Sequence, residues 1–311
     1  MTRPQLSMTL VTFAREDPGS WEPMFARARL LDEVGVDRLV VSDHVVFGED
    51  LDAYGRPELG GTSGGKQPTG PDGHWLEPLT TLSVVAGMTT RIRLGTNILI
   101  AALRRPIVLA KTAATLDVLS GGRLDLGVGV GWQREEYDAA GLDFAVRGRL
   151  LDHSLEVCQT VWREDRATYD APELQFDAIH QMPKPVAPAG VPLWVSGRVN
   201  PRVVRRLARF GTGWIPWGED AADLPGSIDR MREALAAEGR DATDLEVVGS
   251  LPGVRNGDGA LDLGRTMEGV PALVAAGVTD FRASLRLPPD DAQARDHLLE
   301  VVAAFRAATA P

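Results

Sequence analysis

The chain of 311 residues has one cysteine, Cys158, and three lysines, Lys66, Lys111 and Lys184. A single thiol excludes an internal disulfide and any metal site built on cysteines. It also fits a reducing compartment, so the cytoplasm is the expected location. The histidines, His44, His74, His153, His180 and His297, show no metal-ligand spacing, and no metal is expected. No window approaches the ~18 uninterrupted apolar residues of a membrane helix. The opening MTRPQLSMTLVTF holds no long apolar run and no small-residue cleavage site, so neither membrane insertion nor a secretory signal is expected. Basic charge is short as well. The net charge of −10 disfavours nucleic-acid binding, which needs a basic surface. There is no GxSxG elbow and no P-loop.

What remains is an ordinary globular composition, 44% apolar and 24% charged. Short β-branched runs alternate with longer helical windows. The strand candidates are residues 5–13, 37–42, 92–99, 123–130, 192–197, 213–217, 245–251 and 279–285. Each is apolar and bounded by Gly, Pro or Asp, as a buried parallel strand should be. Between them, residues 21–35 place Met24, Ala28, Leu31 and Val34 on one helical face, with Gly35 as the stop. Windows beginning at Glu77, Pro106, Pro201, Asp223 and Ala292 read the same way. Eight strands alternating with helices predict an α/β protein, a (β/α)8 TIM barrel filling residues 1–311 as one domain. A doubly wound open sheet is the alternative, but no GxGxxG turn follows the first strand.

Two segments exceed a minimal barrel and are read as insertions at its mouth. Residues 48–76 are rich in glycine and follow a strand's C-terminal end, so a lid loop is expected. Residues 164–190 read as a short hairpin with a Pro-rich return.

Active sites of such barrels form at the C-terminal ends of the strands. The second strand ends in Ser42-Asp43-His44. A carboxylate beside an imidazole suits proton handling, or a helix-cap Asp beside a surface ring. The third ends at Asn97-Ile98, where the Asn serves either a ligand edge or the loop backbone. In the fourth, Gly127, Gly129 and Gly131 alternate, leaving room for a flat group or for close packing. Trp132 follows, then Glu135 and Glu136, read as helix-start charges or as weaker acid/base candidates. The fifth ends in Ser196-Gly197-Arg198 before Pro201, a turn suited to a phosphate or to a plain loop–helix junction. Trp214 and Trp217 lie at the sixth. Aromatic rings at strand ends suit a flat cofactor, an apolar substrate or the core.

The segments LVVSDHVVFG, TTRIRLGTNILIAALRRPIVLAKTAATLDVLSGGRLDLGVGVGWQREEYDAAG and PLWVSGRVNPRVVRRLARFGTGWIPWG carry a resemblance. Through them the chain resembles the luciferase-like monooxygenase superfamily, in its branch using the deazaflavin coenzyme F420. The resemblance runs nearly the whole length. It implies hydride transfer between F420 and a small organic substrate, in a homodimeric barrel with the ring at the mouth. On it, Asp43 and His44 match the pair beside the deazaflavin, and His44 is the candidate acid/base. Asn97 and Ile98 match a non-prolyl cis peptide behind the ring. Gly129, Val130 and Gly131 match the strand end flanking the cofactor, and Ser196, Gly197 and Arg198 match the phosphate turn. Trp132 and Trp217 are then the substrate-pocket candidates. The chain departs from sugar-phosphate-oxidising members. Trp132 stands where they carry a glutamate, Val45-Val46-Phe47-Gly48 follows the pair where they carry a tryptophan, and the last third has no lysine. An FMN-dependent monooxygenase of the same fold, and a non-catalytic flavin-binding protein, are the alternatives.

Overall fold

The computed structural model describes residues 3–257 and 259–310. Eight parallel strands close into a barrel. They are β1 (Gln5–Thr9), β2 (Arg38–Val41), β3 (Arg93–Thr96), β4 (Leu124–Val128), β5 (Leu193–Gly197), β6 (Gly213–Pro216), β7 (Glu246–Pro252) and β8 (Asp280–Ser284). Each pairs with its neighbours in sequence, and β8 returns to β1 through Leu6 opposite Phe281. The eight runs expected from the sequence are these strands. β2, β4 and β6 are buried at every position, so they read as short, mainly apolar runs without alternation, interrupted only by the buried charges Arg38 and Asp125.

Helices line the outside. They are α1 (Glu22–Val34), α2 (Pro78–Met88), α3 (Pro106–Ser120), α4 (Arg134–Ala139), α5 (Arg147–Arg163), α6 (Pro201–Phe210), α7 (Glu219–Ala222), α8 (Leu224–Ala237), α9 (Leu263–Met267), α10 (Val270–Ala276) and α11 (Asp291–Ala308). Local chemistry sets their ends. Proline stands in the first turn of α2, α3 and α6, where its missing N–H costs nothing. Glu77 caps α2 by accepting from the Thr80 N–H, and Asn200 caps α6. In α1, Met24, Ala28, Leu31 and Val34 all face the core, and Gly35 ends the helix at φ 91°.

The N-terminal end of the barrel is sealed by charge. Arg38 is 2% exposed and bonds Asp125 at 2.9 Å and, more closely, Asp280. Arg93 grips Asp125 with two bonds of 2.6 Å, and the Arg38 guanidinium lies 4.3 Å from the Trp194 ring centre. Burial alone would lower the Arg38 pKa; the Asp125 and Asp280 carboxylates outweigh it and raise it.

Two small ribbons stand outside the barrel. Phe13–Ala14 pairs antiparallel with His74–Trp75, tying the end of the 48–76 loop to the exit of β1. Within 164–190, Ala167–Ala171 and Leu174–Ile179 form an antiparallel hairpin. Its Tyr169 hydroxyl reaches His153 and Glu156 on α5. No helix among the described residues is long and apolar enough to cross a membrane.

Candidate active site

A cavity of about 780 Å³ opens at the C-terminal ends of the strands. That is an ordinary size for a small-molecule or cofactor site. Its wall includes Asp43, His44, Asn97, Ile98, Gly129, Val130 and Gly131. Ser196, Gly197, Arg198, Trp132 and Trp217 also line it. The twelve positions singled out from strand ends therefore share one space.

Asp43 and His44 leave β2 together but turn to different partners. Asp43 Oδ2 accepts from the Ile100 N–H at 2.8 Å and from Arg104 Nη1 at 2.5 Å. Its Oδ1 accepts from Arg104 Nη2 at 2.9 Å. The same guanidinium bonds Glu77 at 2.9 Å. Burial alone would lower Arg104; the two carboxylates raise it. Asp43 is thus a clamp on the exit of β3.

The carboxylate beside His44 is Glu136, not Asp43. Glu136 is fully buried at the start of α4, and its Oε1 lies 3.3 Å from His44 Nδ1. The same oxygen accepts the Val45 N–H at 2.8 Å. Rings surround the imidazole: Phe47 at 4.4 Å, Trp75 edge-on at 4.8 Å and Trp132 at 6.0 Å between centroids. Glu136 is readable from the sequence as a helix-start charge or a weaker acid/base candidate, but its pairing with His44, 92 residues away, leaves no local pattern. Arg104 was missed for the same reason.

The Asn97–Ile98 peptide is cis. Asn97 continues the ladder by donating its N–H to the Val41 carbonyl at 2.8 Å. The alternating glycines of β4 are explained by the chain itself. A Cβ on Gly127 would fall 2.0 Å from the Thr96 carbonyl oxygen, and one on Gly129 would meet the Ile98 side chain at 3.0 Å. Gly131 takes φ +68° against Ile100. Gly127 therefore lets the Thr96 carbonyl pass, while Gly129 and Gly131 seat the Ile98 and Ile100 side chains and line the cavity with them.

The turn after β5 is more occupied than a bare helix N-terminus. Asn200 Oδ1 accepts from Arg202 and Val203, and Asp220 accepts from Val199 at 2.7 Å. The Arg198 side chain, 55% exposed, touches only Glu219, at 3.7 Å. Any anion here would be met by that guanidinium rather than by an open row of N–H groups.

Of the strand-end tryptophans, Trp214 is fully buried and belongs to the core. Trp217 donates Nε1 to the Gly61 carbonyl at 3.1 Å, joining the 48–76 loop to the exit of β6. Tyr54 of that loop faces Trp132 at 5.4 Å and Trp217 at 6.4 Å, and burial raises its pKa. Trp75, at the end of the loop, stacks on Phe13 at 4.3 Å. The loop covers the mouth from β4 to β6 and returns to β1.

The molecule is thus an eight-stranded parallel barrel whose mouth is walled by glycines, aromatic rings and a His–carboxylate pair. Residues 6–255 match the profile of the family described as luciferase-like monooxygenase, and the chain belongs to that family. An uncharacterised protein of Mycobacterium tuberculosis is 34% identical over 166 residues, 53% of this chain and 58% of that protein. The chain thus spans little more than half the length of the first curated relatives it matches. An F420-dependent glucose-6-phosphate dehydrogenase of Kineococcus radiotolerans is 32% identical over 181 residues, 56% of this chain and 52% of that protein. Among solved structures, an F420-dependent secondary alcohol dehydrogenase with an F420–acetone adduct superposes with a TM-score of 0.75 at 18% identity. It covers 98% of this chain and 100% of that one. The oxygenating component of 3,6-diketocamphane monooxygenase from Pseudomonas putida, in complex with FMN, gives 0.71 at 14%, covering 96% of each chain. At such identities these two likenesses speak for the fold.

Proposed function

We propose that this chain is an oxidoreductase that transfers a hydride between the deazaflavin coenzyme F420 and a small organic substrate. The observation that carries the reading is the His44 imidazole on the cavity wall, backed by a buried carboxylate, in the cavity that Asn97 and Ile98 also line. The F420-dependent relative supports the choice of cofactor.

The residues fit such a group. The backbone from Gly129 to Gly131, with Asn97 and Ile98, lines the same cavity as the rings of Trp75 and Trp132. A planar ring with a polar edge suits that slot. Arg198, beside Ser196 and Gly197, would take its phosphate. When bound, the deazaflavin supplies the carbon that accepts or donates the hydride.

The protein's own part is placement and proton handling. His44 holds or moves a proton at Nε2, the nitrogen away from Glu136. Asp43 keeps the exit of β3 in register through Ile100 and Arg104. Trp132 and Trp217 line the substrate side and, with the 48–76 loop acting as a lid, exclude water. The same reading has the protein act in the cytoplasm as a homodimer.

The test is a titration of the purified protein with F420 and, separately, with FMN, followed by cofactor fluorescence. F420 is expected to bind and to be turned over with a carbonyl, alcohol or activated-alkene substrate. Tight FMN binding with no response to F420 would replace this reading with the monooxygenase one. His44→Ala is expected to keep F420 binding and lose turnover by at least a hundredfold, the scale of a missing acid/base. Unchanged turnover would remove His44 from the reaction.

A further inference from the structure

We propose that Glu136 is the positioning residue for His44: its buried carboxylate fixes the imidazole as the Nδ1–H tautomer and supports the ring's protonated form. The proposal rests on the reading of His44 as the proton-bearing group, and its first test does not depend on that reading.

The geometry supplies three points. Glu136 Oε1 lies 3.3 Å from His44 Nδ1. The same oxygen accepts the Val45 N–H at 2.8 Å, so the carboxylate is pinned to the backbone next to the ring it faces. Its Oε2 is buried with no hydrogen-bond partner among the described residues. An ionised carboxylate only accepts hydrogen bonds, and a neutral imidazole has one donor and one acceptor nitrogen. The nitrogen facing Glu136 must therefore carry the hydrogen, which leaves Nε2 as the lone-pair nitrogen. A second proton at Nε2 makes an imidazolium, and the adjacent buried anion favours that charged form.

The surroundings leave this role to Glu136 alone. On the segment of His44 itself, Asp43 is held by Arg104. From the 48–76 segment and its approach come Phe47 and Trp75, and from the exit of β4 comes Trp132, all uncharged rings. On α4, the Glu135 side chain packs along Gly48. Nearby Tyr137 spends its hydroxyl on the Val130 carbonyl at 2.6 Å. Glu136 is thus the one carboxylate in contact with the imidazole among the described residues.

The test uses Glu136→Gln, which keeps the shape and removes the charge. The His44 ring is followed by nitrogen NMR in the ligand-free protein over a pH series. Its midpoint is expected to fall by about one unit or more, because the anion that favours the charged ring is gone. In the F420-loaded enzyme, kcat is expected to fall about 10- to 100-fold, with KM within about twofold. The pH limb of kcat belonging to His44 should move by the same amount as the NMR midpoint. Glu136→Asp keeps the charge and should return most of that shift; it also serves if Glu136→Gln does not fold. A merely structural tether for Val45 would leave the His44 midpoint where it is, and an unchanged midpoint overturns the proposal. A shifted midpoint with unchanged turnover upholds the coupling and instead overturns the reading of His44 as the proton carrier.

Discussion

Asp43 and His44 share a peptide bond, yet their side chains answer to different parts of the fold. Asp43 is spent on Arg104 and the Ile100 N–H, His44 on Glu136. Arg104→Ala would leave Asp43 buried against one N–H and no cation. Breaking a buried pair from one side costs about 3 kcal/mol or more, so its urea midpoint should fall clearly. A loss near zero would mean that water already neutralises Asp43. This scale also marks the limit of sequence reading. Asp43 and His44 were legible because their residue types stand at the end of a strand. Glu136 stood only as a weaker candidate and Arg104 did not stand out, because a glutamate in a helix's first turn and an arginine after a loop are common in any protein. Only the closed barrel brings them to the pair.

At the scale of elements, the fastenings of the 48–76 loop include Trp75 on Phe13, Arg15 Nε on the Pro68 carbonyl at 3.0 Å, and Trp217 Nε1 on the Gly61 carbonyl. Trp217→Phe keeps a ring and removes the donor, a loss of about 1 kcal/mol for one hydrogen bond. Amide exchange of residues 60–66 should then quicken roughly fivefold, with global stability little changed. Equal quickening throughout the chain would show that Trp217 supports the core instead. The barrel strands were legible because buried parallel strands are short, mainly apolar runs bounded by turn residues, even with Arg38, Asp125 and Asp280 among them. The hairpin at 167–179 showed through its turn and alternation. The ribbon of Phe13–Ala14 with His74–Trp75 was not legible, since two-residue strands carry no period. Nor did spacing reveal that the glycines of β4 make room for Ile98 and Ile100.

For the whole molecule, charge and surface each give an expectation. Asp32, Glu77, Asp125 and Asp220 are held below the usual carboxylate range. Burial opposes this in each, and it is outweighed by N–H donors at Asp32 and by arginines at Asp125. A folded pKa below the unfolded one gives stability that is full above the unfolded value and lost as pH falls through the folded one. The thermal midpoint should therefore drop below about pH 4. Asp117 and Glu246 are raised by burial and act the other way. His153, lowered by burial, opposes them by losing stability below about pH 6.5, so only a small change is expected before that drop. A midpoint whose main fall comes near neutral pH would contradict this ordering. The surface of α2 and α3 presents Val84, Val108 and Leu119, the last 70% exposed, and α2 carries no charge. We expect this face to join two copies. Light scattering of Val108→Glu/Leu119→Glu should then give a monomer where the parent gives a dimer. An unchanged mass would place the contact elsewhere.

The charged seal at the foot of the barrel has a consequence for traffic. With Arg38, Asp125, Asp280 and Trp194 closing that end, the barrel is a vessel with one opening. Nothing passes through it. Under the proposed reading, a cofactor seated deeper than its substrate would have to arrive first and leave last, both through the same mouth.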